Sequence, residues 1–215
     1  TLSTSSAASD VYKRQAIGLS SVDVYKDAGN YVNVLAKLYA GMSLSGLHGP
    51  SGNPDIAGID EGFSQYIRVL WNLQDLPTDN AICRWKDVGI PEMCKMEWSA
   101  DNSFVKAMYS RIYYQIPIAN VFIKETSDES MTDKGFSNED QEELRMYRAE
   151  ARFLRALSYY HAMDLFGNVP FVDETSPIGL FLPEQILRAD LFSWIESELK
   201  AVENILMTAS TAPYG

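Results

Sequence analysis

A chain of 215 residues is long enough to bury a substantial core, as one large domain or two small ones. With 46% apolar and 22% charged residues it does not have the composition of a disordered chain. A formal charge of −11, with no run of Lys or Arg, makes nucleic acid and anionic membrane surfaces poor partners, and no stretch has the length of a transmembrane helix.

Residues 1–15 are set aside from the fold. Asp10-Val11-Tyr12-Lys13-Arg14-Gln15 can be written in codons as GAT GTG TAT AAG AGA CAG, the end of a common transposon sequencing adaptor. They read as a non-native leader, or otherwise as a Ser-rich disordered one. Residues 24–42 predict the first helix, because Tyr31, Val34, Leu35, Leu38 and Tyr39 recur at helical spacing. Residues 43–62, rich in Gly, Pro, Asn and Ser, predict a long loop that is functional or mobile. A second helix is expected near Asp60, whose carboxylate suits the exposed N–H groups of a helix start. Phe63, Ile67 and Leu70 would give its apolar face, and Pro77 its stop. Residues 77–100 predict another long irregular stretch, holding Trp85 and Trp98.

From Asp101 a third helix runs to about Glu125, with Val105, Met108, Ile112, Tyr113, Ile116 and Ala119 in period and a kink at Pro117. The acidic "TSDESMTDKGFSNED" predicts a loop, ended by Ser137 as an N-cap with Asp140 three residues on. The fourth helix, 140–166, carries two stripes. One is Leu144, Tyr147, Ala151, Leu154, Ser158, His161 and Leu165; the other is Phe153, Ala156, Leu157 and Tyr160. Two stripes imply neighbours on two sides, and Ala149, Ala151 and Ala156 would allow close approach. Gly167 and Pro170 form a helix stop, 169–172 is short and extended, and a fifth helix is expected from Pro183 through Leu187, Leu191, Ile195, Leu199, Val202 and Leu206. The class is all-α, a stack of helical hairpins with two long insert loops. No exact repeat period supports a strict tetratricopeptide array.

Little points to catalysis. His48 lies in a loop without a Cys or acidic partner at motif spacing, and His161 reads as a structural residue on a core face. No HExxH, GxSxG, P-loop or GxGxxG is present. Asp60, Glu61, Asp79, Asp87 and Glu97 lie in or near the loops, where two acids could flank a glycosidic bond, but such acids are more often solvated. "NPDIAGIDEG" offers Asn53, Asp55, Asp60 and Glu61 as oxygen ligands, yet Ser64 stands where an EF-hand needs Glu. Neither metal nor cofactor is expected. Cys83 and Cys94 lack zinc-site spacing; a disulfide and two buried thiols both remain open.

Binding fits the residues better. Trp85, between Arg84 and Lys86 and close to Asp87, is either a packed plug or a displayed face on which a sugar ring can stack. Trp71 reads as core, and Trp98 as a staple-like contact. Asp60 and Arg68 stand eight residues apart, about two helical turns, which puts an acceptor and a forked donor on one side. The plainer alternative is a cap and a solvated Arg.

"RAEARFLRALSYYHAMDLFGNVPFV" resembles the signature helix of the SusD/RagB family. "YVNVLAKLYAGMSLSG", "DEGFSQYIRVLWNLQDLPTDNAICRW" and "WSADNSFVKAMYSRIYYQIPIANVFI" resemble its preceding elements in order, so the likeness covers about residues 22–215. The resemblance implies an all-α, tetratricopeptide-like scaffold with irregular inserts. It implies a non-catalytic, surface-exposed lipoprotein of the Bacteroidetes outer membrane, which captures oligosaccharides or other nutrients and acts as a lid on a SusC-like TonB-dependent transporter. By position within the motifs, Asp60, Arg68 and Trp85 correspond to glycan-contacting residues. The final "YG" is a point from which members usually continue, so 16–215 is expected to be the N-terminal part of such a domain. Asn80, where "TDE" is common, and the basic Arg84 and Lys86 depart from the pattern. A protein-binding helical scaffold and an all-α glycosidase are the alternatives.

Overall fold

The computed structural model describes residues 21–46, 53–177 and 182–207. The leader, His48, the centre of the first insert and the terminal "YG" lie outside the described residues. The elements in chain order are α1 (Ser21–Val24), a 3-10 turn (Ala28–Asn30), α2 (Tyr31–Ala40), α3 (Tyr66–Asp75), α4 (Ile90–Cys94), α5 (Ser103–Glu125), α6 (Asp128–Asp133), α7 (Asn138–Phe166), β1 (Val169–Pro170), β2 (Gln185–Ile186) and α8 (Arg188–Val202). The strands are two residues each and antiparallel, Val169 opposite Ile186. The chain is helical with two irregular inserts, as the periodicity implies.

α7 is the hub, packing on α5, on α8 and on α2, while α3 packs on α5. Its start is the capping box expected at Ser137 and Asp140: the Ser137 hydroxyl accepts the Asp140 N–H at 3.2 Å, and the Asp140 carboxylate accepts the Ser137 N–H at 3.3 Å. Its end is Gly167, whose φ of 75° is a conformation that glycine adopts without steric cost. Leu144, Tyr147, Ala151, Leu154 and Ser158 are buried as one stripe. The second stripe differs from expectation. Phe153 and Tyr160 are exposed, while Ala156 of that stripe is buried, together with Ala149, Arg155, Tyr159, Ala162 and Met163. All three alanines singled out for close approach are buried, Ala149 and Ala156 here and Ala151 in the first stripe.

Three helices of the expected set differ in extent or start. Residues 24–42 are not one helix, because Asp27 turns to an extended backbone and accepts the Gly29 N–H at 2.9 Å, which restarts the helix after the 3-10 turn. α3 begins at Tyr66 rather than near Asp60, and it buries Tyr66, Val69 and Asn72 while Ile67 is exposed. Pro183 does not start a helix; β2 intervenes, and α8 begins at Arg188. Two stretches read as loops contain short helices. α4 lies within 77–100, and α6 is capped by the Ser127 hydroxyl, which accepts the Ser130 N–H.

The α3 shift has a polar cause. Arg111 of α5 is fully buried and binds three points of the preceding insert. Its Nε donates to the Ser64 carbonyl at 2.5 Å, one Nη pairs with Asp55 at 2.7 Å, and the other donates to the Ser64 hydroxyl at 3.0 Å and the Ser45 carbonyl at 3.3 Å. Ser64 is thereby drawn into the core, and Tyr66 rather than Ile67 faces inward two residues later. A second buried guanidinium, Arg155, joins α5 to α8 through Asn120 and Glu198, each at 2.8 Å, and also pairs with Glu174.

His161 has the structural role expected of it. Its Nδ1 lies 2.9 Å from the Tyr66 hydroxyl, linking α7 to α3. Burial pushes its pKa below the ordinary 6.5, against the opposing pull of Asp164.

Two measurements check these statements. Arg111→Ala leaves Asp55 and the Ser64 and Ser45 acceptors without their buried partner, so urea denaturation should show a loss of about 3–5 kcal/mol. Arg111→Lys, which keeps the charge but not the fork, should fall between. Because folded His161 favours the neutral form, its contribution is full above pH 6.5 and is lost as pH falls through its depressed folded value. Denaturation midpoints between pH 7 and 5 should decline less steeply in His161→Gln than in the unmodified chain.

Candidate functional site

Asp60, Arg68 and Trp85 line one hollow of about 440 Å3, with walls from Phe63, Val88 and Phe104 among others. A volume of that size is within the range of small-molecule sites. Four separate segments build it. The stretch before α3 supplies Asp60 and Phe63, α3 supplies Arg68, the second insert supplies Trp85, and the start of α5 supplies Ser103 and Phe104.

Asp60 and Arg68 meet at Gly62. The Asp60 carboxylate accepts the Gly62 N–H at 2.6 Å, and Arg68 Nη1 donates to the Gly62 carbonyl at 2.8 Å. Asp60 therefore caps a turn five residues before α3 begins, not the helix itself, and α3 has no side-chain cap. Both groups keep hydrogen-bonding capacity for a ligand. A carboxylate has further lone pairs, and the Gly62 bond uses one of five guanidinium donors.

Trp85 is displayed, at 60% exposure. The Arg68 guanidinium sits 5.7 Å from its ring centre, a cation–π contact that steadies the indole. The loop beyond is tied to the start of α5: Ser103 donates to the Val88 carbonyl at 3.0 Å and the Asn102 amide to the Gly89 carbonyl at 3.1 Å. Asn102 also caps α5, accepting the Phe104 N–H at 2.9 Å, and Phe104 packs on Phe63 with ring centres 4.6 Å apart. One end of α5 thus holds both inserts in place.

The sequence patterns missed part of this surface. Trp71, read as core, is 49% exposed and lines a second recess of about 490 Å3 together with Ile82, Arg68 and Trp85. Helical spacing did not separate it from Asn72, which takes the buried position. Trp98 is also exposed rather than a staple. Cys83 and Cys94 are both free, half-buried thiols, and the Cys94 sulfur lies 3.8 Å from the Cys83 carbonyl oxygen. Among the described residues no three His, Cys, Asp or Glu side chains gather to hold a metal ion, and no helix is long and apolar enough to cross a membrane.

Gly89 has a φ of 102°, and a Cβ there would lie 3.0 Å from Phe104 and Ser103 atoms. Gly167 also has positive φ, but nothing lies within 4 Å of an added Cβ. Gly89→Ala should therefore cost about 1–3 kcal/mol and speed proteolysis within 77–89, whereas Gly167→Ala should cost about 1 kcal/mol and leave that loop unchanged. Chemical denaturation and limited proteolysis read both.

No family model matches the chain. It is 36% identical over 183 residues to the starch-binding protein SusD of Bacteroides thetaiotaomicron, an alignment that spans 85% of this chain and 31% of that protein. Its fold is similar to that of a SusD-like carbohydrate-binding protein from Bacteroides fragilis, with a TM-score of 0.58 at 23% identity, covering 88% of this chain and 34% of that one. It is also similar to a SusD superfamily protein from Bacteroides vulgatus, with a TM-score of 0.59 at 16% identity, covering 85% and 35%. The chain spans about a third of the length of these relatives.

Proposed function

The chain belongs to the SusD family over the stretch it shares with these relatives, and from that premise we propose that it captures oligosaccharides at a cell surface without chemically altering them. The observation that carries the reading is the exposed indole of Trp85, steadied by Arg68, in one hollow with Asp60. An aromatic face binds the apolar C–H side of a sugar ring, and the carboxylate and guanidinium supply an acceptor and a donor for its hydroxyls. This division of labour needs no nucleophile, metal or cofactor. In this reading the bound glycan passes to a SusC-like TonB-dependent outer-membrane transporter, and the protein stands on the outer surface of that membrane by a lipid anchor.

Calorimetric titration against a panel of neutral oligosaccharides, headed by malto-oligosaccharides because the relative from Bacteroides thetaiotaomicron is named for starch, tests the site. Trp85→Ala should weaken binding at least about tenfold, or about 1.4 kcal/mol. Arg68→Ala should also weaken it, through the lost donor and the freed indole. Equal affinity in Trp85→Ala and the unmodified chain would overturn the assignment. Failure of the whole panel to bind would return the chain to a protein-binding helical scaffold.

A further inference from the structure

We propose that the glycan site continues past Phe63 into a second hollow, where Tyr109 is a further platform for the same oligosaccharide. The proposal rests on the reading of the Trp85 hollow given above. The second hollow is the larger of the two, about 810 Å3, and it shares Asp60, Phe63 and Ser103 with the first, so the two are adjacent. An occupant of the Trp85 hollow that grows by further units has this space beside it.

Tyr109 is propped as Trp85 is. Its ring lies 4.6 Å from Tyr113 at a tilt of 37°, and 5.5 Å from Phe166 edge-on. Tyr113 is itself pinned, its hydroxyl donating to the Pro170 carbonyl at 2.7 Å. With Tyr113 close against it, Tyr109 nevertheless retains 39% exposure. A ring already held by its neighbours loses little rotamer freedom when a ligand stacks on it, the same advantage that Arg68 gives to Trp85. Hydroxyl partners stand around the hollow: Ser110 in its lining, and the Lys106–Asp101 ion pair, 2.8 Å long and solvent-exposed. The chemistry is that of a sugar chain, an apolar face with hydroxyls at its edges, and not of a purely apolar ligand.

The inference makes affinity depend on oligosaccharide length. Malto-oligosaccharides from two to eight units would be titrated calorimetrically into the unmodified chain, Tyr109→Ala, Tyr109→Phe and Trp85→Ala. For the unmodified chain, affinity should rise with length. Tyr109→Ala should bind the shortest members unchanged and lose about five- to tenfold for the longest. Tyr109→Phe, which keeps the ring, should retain the length dependence, and this guards against a folding defect in the alanine variant. Trp85→Ala should weaken every length. If Trp85→Ala weakens binding but Tyr109→Ala follows the unmodified chain at all lengths, the second platform is wrong and the first site stands. If Trp85→Ala has no effect, the earlier reading fails and this one with it. Self-association that Tyr109→Ala abolishes, with an unchanged length profile, would assign the hollow to a second copy and overturn the proposal.

Discussion

Arg111 ties the described parts of the first insert to α5. Its guanidinium takes the Ser45 carbonyl from one end of the insert, the Asp55 carboxylate from its middle and both oxygens of Ser64 from its far end. A buried charge is an expensive way to stabilise a fold, since desolvation offsets much of the Coulomb attraction. What it supplies here is position, because few alternative loop paths would satisfy the same fork of donors. The consequence reaches the surface. With Ser64 fixed, α3 enters with Tyr66 inward, Arg68 emerges beside Gly62, and Asp60 lies on the turn that Arg68 then clasps. The hollow is therefore set by a residue that does not line it.

The second insert is fixed by different means. The Trp85 loop hangs from the first turn of α5, through Ser103 and Asn102, and Asn102 serves two purposes by capping the helix as well. The corner after α7 does comparable work on the other flank. Gly167 lets the chain reverse, β1 then offers the Pro170 carbonyl to Tyr113, Val172 just beyond it offers its carbonyl to Tyr159, and Tyr113 props Tyr109. A corner with no ligand chemistry of its own thus shapes a neighbouring surface, which is how rigid scaffolds give loops their function.

How much of this was legible depends on the range of the signal. Several local signals survived, while Asp60 as a helix start and Pro183 as a first helical position did not. Ser137 with Asp140, Gly167 after Phe166 and the long period of α5 are read within a few residues, and each element stands close to where it was expected. The buried arginines were not legible, since a single Arg on a helix reads as solvated and the partners of Arg111 lie 47, 56 and 66 residues away in sequence. The exposed Trp71 and buried Asn72 reversed the simplest assumption about polarity for the same reason. Asp60, Arg68 and Trp85 were singled out by residue type and by family resemblance, whereas the neighbouring walls at Val88, Ser103 and Phe104 required the folded chain to meet them. α6 was hidden because its first turn, Asp128 and Glu129, looks like a solvated acidic loop, although acids there favour a helix start after the Ser127 cap.

The charge balance of the hollow narrows what the proposed site suits. Two carboxylates, Asp60 and Asp87, and one guanidinium, Arg68, line it in a chain of formal charge −11. A ligand bearing carboxylate or sulfate groups would approach against that net charge; among the residues lining the hollow it would meet one cation, part of whose fork is spent on Gly62, with Arg84 in the adjoining recess. A strongly cationic ligand would gain from the carboxylates, but it would face Arg68, which already makes a cation–π contact with the indole. A neutral polyhydroxyl ring loses nothing to either sign. It can donate to the carboxylates, accept from the guanidinium and rest its C–H face on Trp85, so stacking and hydrogen bonding act on the same ring without an unpaired charge left beneath it. The mixed charge of the proposed site thus suits a neutral polyhydroxyl ligand.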